Sequence, residues 1–137
     1  MKTLFTAVTI LVLASAAQAE DWPPASEYTY ETTCGHTKAP DNCLSNIKSF
    51  STSYEKAIQG DYDGQRIVAT AFFGGWDGVA QRPTLACAWS HVLLNSGHLM
   101  ATPDDINNNS YYCDRLKPNE KTLAAAQAQR MLKMLGQ

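Results

Sequence analysis

The histidines of the chain are the side chains best suited to acid–base chemistry near neutral pH. His91 and His98 lie seven residues apart, which is two turns of a helix, so both can face the same side. Ser90 precedes His91, but adjacent helical residues point about 100° apart and do not form a nucleophile–base pair. A small disulfide-bonded hydrolase acting on cell-wall material is the alternative functional hypothesis. It would use His91 or His98 beside a carboxylate in a cleft.

Two pairs of carboxylates stand where helices are predicted to begin, Asp61 with Asp63 and Asp104 with Asp105. The helix dipole stabilises negative charge at these positions, so the pairs need no catalytic explanation. The sequence also lacks a Gly-x-Ser-x-Gly motif, a P-loop and a dinucleotide-binding fingerprint. We therefore expect a protein that is not an enzyme, with no catalytic residues and no cofactor.

Four cysteines allow three disulfide pairings. A bond between Cys34 and Cys43 would close a short loop and pin the N-terminal arm to the following helix. A bond between Cys87 and Cys113 would join two helices that are expected to pack as neighbours. We favour these two bonds, each of which would add roughly 3 kcal/mol of stability by restricting the denatured state.

A metal site is the competing interpretation of the first pair, since Cys34, His36 and Cys43 offer three possible ligands. Structural zinc sites usually have closely paired ligands, as in C-x₂-C, and that spacing is absent here. Disulfides are the more common use of paired cysteines in an exported chain. We therefore expect no metal ligands.

Residues 1–19 have the pattern of a signal peptide. Lys2 precedes an apolar run over residues 4–14, and Ala17 and Ala19 fit the small-residue rule for cleavage after residue 19. The run is too short to span a bilayer, which takes about 20 apolar residues. We expect removal of this segment, no membrane insertion of the remaining chain, and a periplasmic or secreted protein.

Helices are the elements predicted to position all of these residues. Residues 20–40 are expected to form an irregular arm, because prolines in this stretch restrict φ and remove hydrogen-bond donors. Apolar residues then recur at three- and four-residue steps, which predicts helices from residue 41 to 58 and over 62–73, 83–96, 102–115 and 118–135. Thr102 and Asp105 have the spacing of a capping box. The prediction is an all-α domain over residues 41–137.

Residues 60–98 contain a pattern that resembles the Sel-one-like repeat (SLR) family, which is related to tetratricopeptide repeats. The pattern comprises an aromatic residue, a glycine turn ending in valine, an Ala-x-x-Trp pair and a closing Gly-His: Phe72, Gly75, Gly78, Val79, Ala86, Trp89, Gly97 and His98. Two departures are a longer turn, which contains Trp76 and Asp77, and leucines where the repeat usually has alanines. The resemblance implies antiparallel helix pairs in a short right-handed solenoid, closed by capping helices within residues 102–137.

The resemblance also implies function, because SLR proteins are usually adaptors in protein–protein contacts. We expect a non-catalytic protein-binding module, as a monomer or homodimer, and among such proteins an immunity-type inhibitor of a secreted antibacterial effector. A helical module without a dedicated partner is a third hypothesis. Nucleic acid is excluded as a partner by the 11 basic and 13 acidic side chains, since such proteins carry a basic excess.

The expected partner-binding residues fall into two groups. The first helix of the repeat commonly lines the concave binding surface of repeat proteins, and it offers Tyr62, Arg66 and Thr70. The glycine-rich turn offers Phe73, Trp76 and Asp77, and Trp is enriched at interface hot spots. Packing of Trp76 beneath the N-terminal arm is the equally weighted alternative.

Overall fold

Five α-helices and two short 3₁₀ helices form the part of the chain that the computed structural model describes, residues 21–137. The α-helices are α1 (Pro40–Ala57), α2 (Tyr62–Gly74), α3 (Pro83–Asn95), α4 (Pro103–Asp114) and α5 (Pro118–Met134). Within this range no β-strand occurs, and Thr29 and Val79 form an isolated bridge. The all-α prediction is therefore confirmed, while the predicted signal peptide lies outside the described residues.

Helix starts follow local sequence signals. Proline occupies the first turn of four of the helices. A backbone N–H in this turn has no intrahelical acceptor, so proline, which lacks the N–H, costs no hydrogen bond there. Helix α2 begins instead at Asp61, whose carboxylate accepts a hydrogen bond from the backbone N–H of Gly64 at 2.7 Å. In α4 the Asp105 carboxylate accepts from the backbone N–H of Thr102 at 2.8 Å, as the predicted capping box requires.

The N-terminal arm is more ordered than predicted. Two 3₁₀ helices, Ala25–Tyr28 and Glu31–His36, occupy about half of the stretch expected to be irregular. Tyr28 packs among aromatic rings of α1 and α2, with its ring centroid 5.0 Å from that of Phe72. The carbonyl of Tyr28 also accepts a hydrogen bond from the N–H of Ala80. Contacts distant in sequence therefore hold a segment that lacks a helical pattern of its own.

Helix α3 occupies the middle of the bundle and packs against α2, α4 and α5, while α1 covers the other side of α2. The largest fully buried side chains of the core are Trp89, Phe50 and Phe72. The apolar spacing that predicts helices α1 and α2 includes Leu44 and Ile67, which it would place on buried helix faces. Leu44 and Ile67 are 44% and 38% exposed, because no neighbouring helix covers their side of α1 and α2.

Both predicted disulfides are confirmed. Cys34 bonds to Cys43 and ties the second 3₁₀ helix to α1, and Cys87 bonds to Cys113 and ties α3 to α4. A search of residues 21–137 finds no helix with the length and hydrophobicity needed to cross a membrane.

Candidate functional site

Helices α2 and α4 lie side by side and touch at both ends. At their N-terminal ends the Tyr62 hydroxyl donates to the Asp105 carboxylate at 2.6 Å. At their C-terminal ends the rings of Phe73 and Tyr112 stack with centroids 4.5 Å apart. Because like ends meet, the two helices run parallel. Their outward sides form a single surface, which we call the α2–α4 face.

A buried carboxylate anchors one end of the α2–α4 face. Asp105 is 4% exposed, and it accepts hydrogen bonds from Tyr62 and from both the backbone N–H and the hydroxyl of Thr102. Nε of Arg66 lies 3.3 Å from the second carboxylate oxygen. Burial by itself would raise the pKa of Asp105, but the hydrogen bonds from Tyr62 and Thr102 and the charge of Arg66 outweigh burial and lower it. Asp105 is therefore a charged, fully partnered structural residue.

This lowered pKa predicts acid sensitivity. A carboxylate whose pKa is lower in the folded than in the unfolded chain contributes stability above the unfolded pKa, and that contribution is lost as pH falls through the folded pKa. We expect the free energy of unfolding to decline below about pH 4, where an unperturbed Asp begins to take up protons. Denaturant unfolding followed by circular dichroism between pH 7 and pH 2 measures this decline. The decline should be shallower in Asp105→Asn, and equal slopes in the two proteins would contradict the assignment.

An exposed aromatic and cationic cluster occupies the other end of the α2–α4 face. Tyr111 is 49% exposed, and the Arg115 guanidinium lies 3.9 Å from the centroid of its ring. Phe73 lies 5.1 Å from Tyr111 between centroids and is itself half-buried against Tyr112. The cluster thus presents aromatic surface and a positive charge to solvent, and its side chains are held by one another. We call Phe73, Tyr111 and Arg115 the aromatic patch.

The predicted binding residues on α2 differ in how much of each side chain is exposed. Tyr62 was expected to contact a partner, but its ring is buried against α4. Arg66 keeps 44% of its side chain exposed while it pairs with Asp105. Thr70 is exposed, and its hydroxyl donates to the carbonyl of Arg66 and lies 3.4 Å from the hydroxyl of Tyr112. Phe73 belongs to the aromatic patch.

Trp76 and Asp77 lie apart from that surface, in the turn between α2 and α3. Trp76 is half-buried and packs against the core. The backbone carbonyl of Asp77 is 3.5 Å from the side-chain amide of Asn46 on α1. The six predicted binding residues therefore do not form one site.

Tyr111 and Arg115 are the site residues that sequence reasoning missed. They stand four residues apart, which places both on one side of α4. The four-residue spacing could have indicated a shared helix face. However, apolar residues do not recur regularly along α4, so its sequence does not distinguish a binding face from an ordinary exposed one. Only the contact with Phe73 identifies the pair as part of a patch.

The histidines do not form the arrangement that a hydrolase would need. His98 Nε2 lies 2.9 Å from Oε1 of the buried Gln65, and its ring packs edge-on against Tyr62. His91 lines a cleft between α3 and α5, and its Nε2 lies 3.6 Å from Sγ of Cys113. Burial lowers the pKa of His91. In the described chain, neither imidazole has an Asp or Glu among its hydrogen-bond partners.

The metal alternative weighed for the N-terminal arm also lacks support. Cys34 and Cys43 are joined to each other, and the exposed His36 is not gathered with them. Across residues 21–137, a different set of three groups comes within metal-ligand distance, namely Cys87, His91 and Cys113.

Comparison with protein-family models, curated protein sequences and solved structures finds no match to this chain. The geometry of the α2–α4 face and of the two disulfides therefore carries the functional argument.

Proposed function

We propose that this is an exported, non-catalytic protein that binds another protein through the α2–α4 face. The aromatic patch is the observation that carries the proposal. Tyrosine and arginine are among the residues most enriched at interface hot spots, where a few side chains supply most of the binding energy. In this patch an exposed tyrosine and an arginine are stacked on one another at 3.9 Å, beside a half-buried phenylalanine.

Rigidity of the patch supports the same proposal. Side chains that are ordered before binding lose less conformational entropy when a partner covers them. Tyr111 is held between Phe73 and Arg115, and Phe73 is stacked on the buried Tyr112. Exposed Ile67 and Thr70 lie three residues apart on α2 and extend this surface toward the Arg66–Asp105 pair.

Export is supported by the covalent structure. Disulfides persist in oxidising compartments and are rare in the cytosol. All four cysteines are paired, in one bond within the N-terminal region and one between α3 and α4. The signal-peptide pattern of residues 1–19 supports the same compartment, periplasmic or secreted.

The helix arrangement is compatible with the SLR resemblance and with the roles of such proteins. Four helix pairs pack as neighbours, namely α1 with α2, α2 with α3, α3 with α4 and α3 with α5, and α2 contacts α4 through side chains. We further propose that the partner is a secreted antibacterial effector, which this protein would neutralise as an immunity-type inhibitor. This finer proposal rests on the small size of the chain and its export signal.

The patch predicts the outcome of a co-purification experiment. The tagged wild-type protein should recover a stoichiometric protein partner from a periplasmic extract of the source cells. Tyr111→Ala should weaken the affinity for that partner by at least about tenfold, as expected for truncating a hot-spot side chain. The affinity is measured by calorimetry on the purified partner.

Tyr30→Ala is the matched control, because Tyr30 is a tyrosine of similar exposure, 46%, on the N-terminal arm. It should leave the affinity unchanged. No stoichiometric partner, or equal weakening by both variants, would contradict the proposed surface. The immunity role is tested separately, by asking whether the wild-type protein abolishes the partner's toxicity in cells that lack the inhibitor.

A further inference from the structure

The disulfide between α3 and α4 lies beside His91. A disulfide that serves only to join two helices needs no histidine next to it. Cys87 and His91 stand four residues apart on α3, so their side chains share one helix face. Cys113 reaches the same point from α4. The two sulfurs and an imidazole nitrogen all lie within 4.8 Å of one another.

The distances match those of a tetrahedral metal centre. Zinc binds thiolate sulfur at about 2.3 Å and imidazole nitrogen at about 2.0 Å, so two such ligands stand about 3.5 Å apart around one ion. His91 Nε2 lies 3.6 Å from Sγ of Cys113. The imidazole nitrogen is therefore already at the distance from the Cys113 sulfur that a shared ion would impose. The two sulfurs must move apart after their bond is broken.

We propose that the Cys87–Cys113 disulfide is a redox-controlled zinc site: the reduced form binds Zn²⁺ through Cys87, His91 and Cys113. In the oxidised form the two sulfurs are bonded to each other and are not thiolate ligands. Reduction thus creates the site, and the bound ion then connects α3 to α4 in place of the covalent bond. The inference is independent of the protein-binding role of the α2–α4 face.

The reduction step requires a dithiol reductant. Its thiolate attacks Sγ of Cys113, the Cys87 sulfur leaves as a thiolate, and the second thiol of the reductant then displaces Cys113 and closes its own disulfide. Two electrons and two protons pass to the protein, which gains two thiols. Zn²⁺ then replaces the two thiol protons as two zinc–sulfur bonds form, and His91 adds its nitrogen lone pair.

Access differs between the two disulfides of the protein. Cys113 is 9% exposed and its partner Cys87 is 1% exposed, whereas Cys34 and Cys43 are 2% and 0% exposed. His91 also lines a cleft of about 270 Å³ between α3 and α5, with Asn95 and Gln129 on its rim. The cleft exposes the His91 side of the proposed site to solvent, and neither cysteine lines it.

Cobalt titration of the reduced protein tests the proposal, because Co²⁺ bound to thiolates in a tetrahedral site absorbs visible and near-ultraviolet light. The full chain, reduced by a phosphine, should bind one Co²⁺ and exchange it for Zn²⁺, while the oxidised chain binds none. His91→Ala should weaken Zn²⁺ affinity by at least about tenfold, since even residues that only support a ligand often contribute that much.

His36→Ala is the matched control, because His36 stands near the other disulfide in sequence but is not gathered with it. It should leave the affinity unchanged. No Co²⁺ spectrum in the reduced chain, or equal weakening by the two variants, overturns the proposal. If the reduced chain unfolds, added Zn²⁺ should restore the helical circular dichroism of the wild type and not of His91→Ala, and failure to do so also overturns it.

Discussion

Gly64→Ala should lower the free energy of unfolding by about 3 kcal/mol, at the upper end of what one added methyl group costs in a packed interior. A Cβ at Gly64 would lie 2.7 Å from the backbone nitrogen of Ala57 and 2.8 Å from the carbonyl oxygen of Ser53. Both atoms belong to the backbone of α1, so no side-chain rotation relieves the clash. The whole of α1 must move away from α2, and the aromatic packing between the two helices loosens with it.

Gly74→Ala provides the matched control in the same helix. A Cβ at Gly74 meets nothing within 4 Å, and its φ is not positive. Alanine there should raise stability by about 0.5 kcal/mol, because it restricts the unfolded chain without straining the folded one. Urea unfolding of both variants and the wild type measures the two effects. Equal effects of the two substitutions would show that the backbone of α1 does not lie against Gly64.

Asp105→Ala should also lower the free energy of unfolding by about 3 kcal/mol, because removing one partner of a buried charged network leaves the others unpaired. The substitution leaves the Tyr62 hydroxyl and the Thr102 backbone N–H without their acceptor, and Arg66 without its counter-charge. It also removes the link between the N-terminal ends of α2 and α4. We therefore expect weaker binding at the α2–α4 face in addition to the lost stability.

Asp104→Ala isolates this effect from that of the helix dipole. Asp104 is exposed and stands in the same first turn of α4, so its removal costs only the dipole interaction, about 0.5 kcal/mol. Thermal and urea unfolding of the two variants should differ accordingly. A loss in Asp105→Ala no larger than in Asp104→Ala would mean that the carboxylate acts only as a helix cap.

The case of Asp105 shows how far sequence reasoning reaches. Its place at a helix start and in a capping box with Thr102 was predictable, since both depend on residues within one turn. Its bonds to Tyr62 and Arg66 were not, because those residues lie about forty positions earlier in the chain. The sequence therefore predicts only the capping and dipole roles of this carboxylate, and its contacts with α2 come from the tertiary structure.

The predicted binding residues show the same division. Arg66 and Thr70 are predicted as neighbours along the first helix of the repeat, and they do lie on the α2–α4 face. Phe73 and Trp76 are both predicted as part of the glycine-rich turn, but Phe73 ends on the α2–α4 face while Trp76 packs against the core. Tyr111 and Arg115 were overlooked because their significance depends on Phe73, a residue on a different helix.

The sequence by itself determined the helices and their starting points. Proline at a first turn, an Asp or Thr cap and apolar spacing act over a few residues, so they operate in the isolated chain. Only the tertiary structure decided which helices became neighbours, which polar groups were buried together and where His91 met a disulfide. Those outcomes depend on close packing between segments distant in sequence, and no local pattern encodes the fit of one helix surface to another.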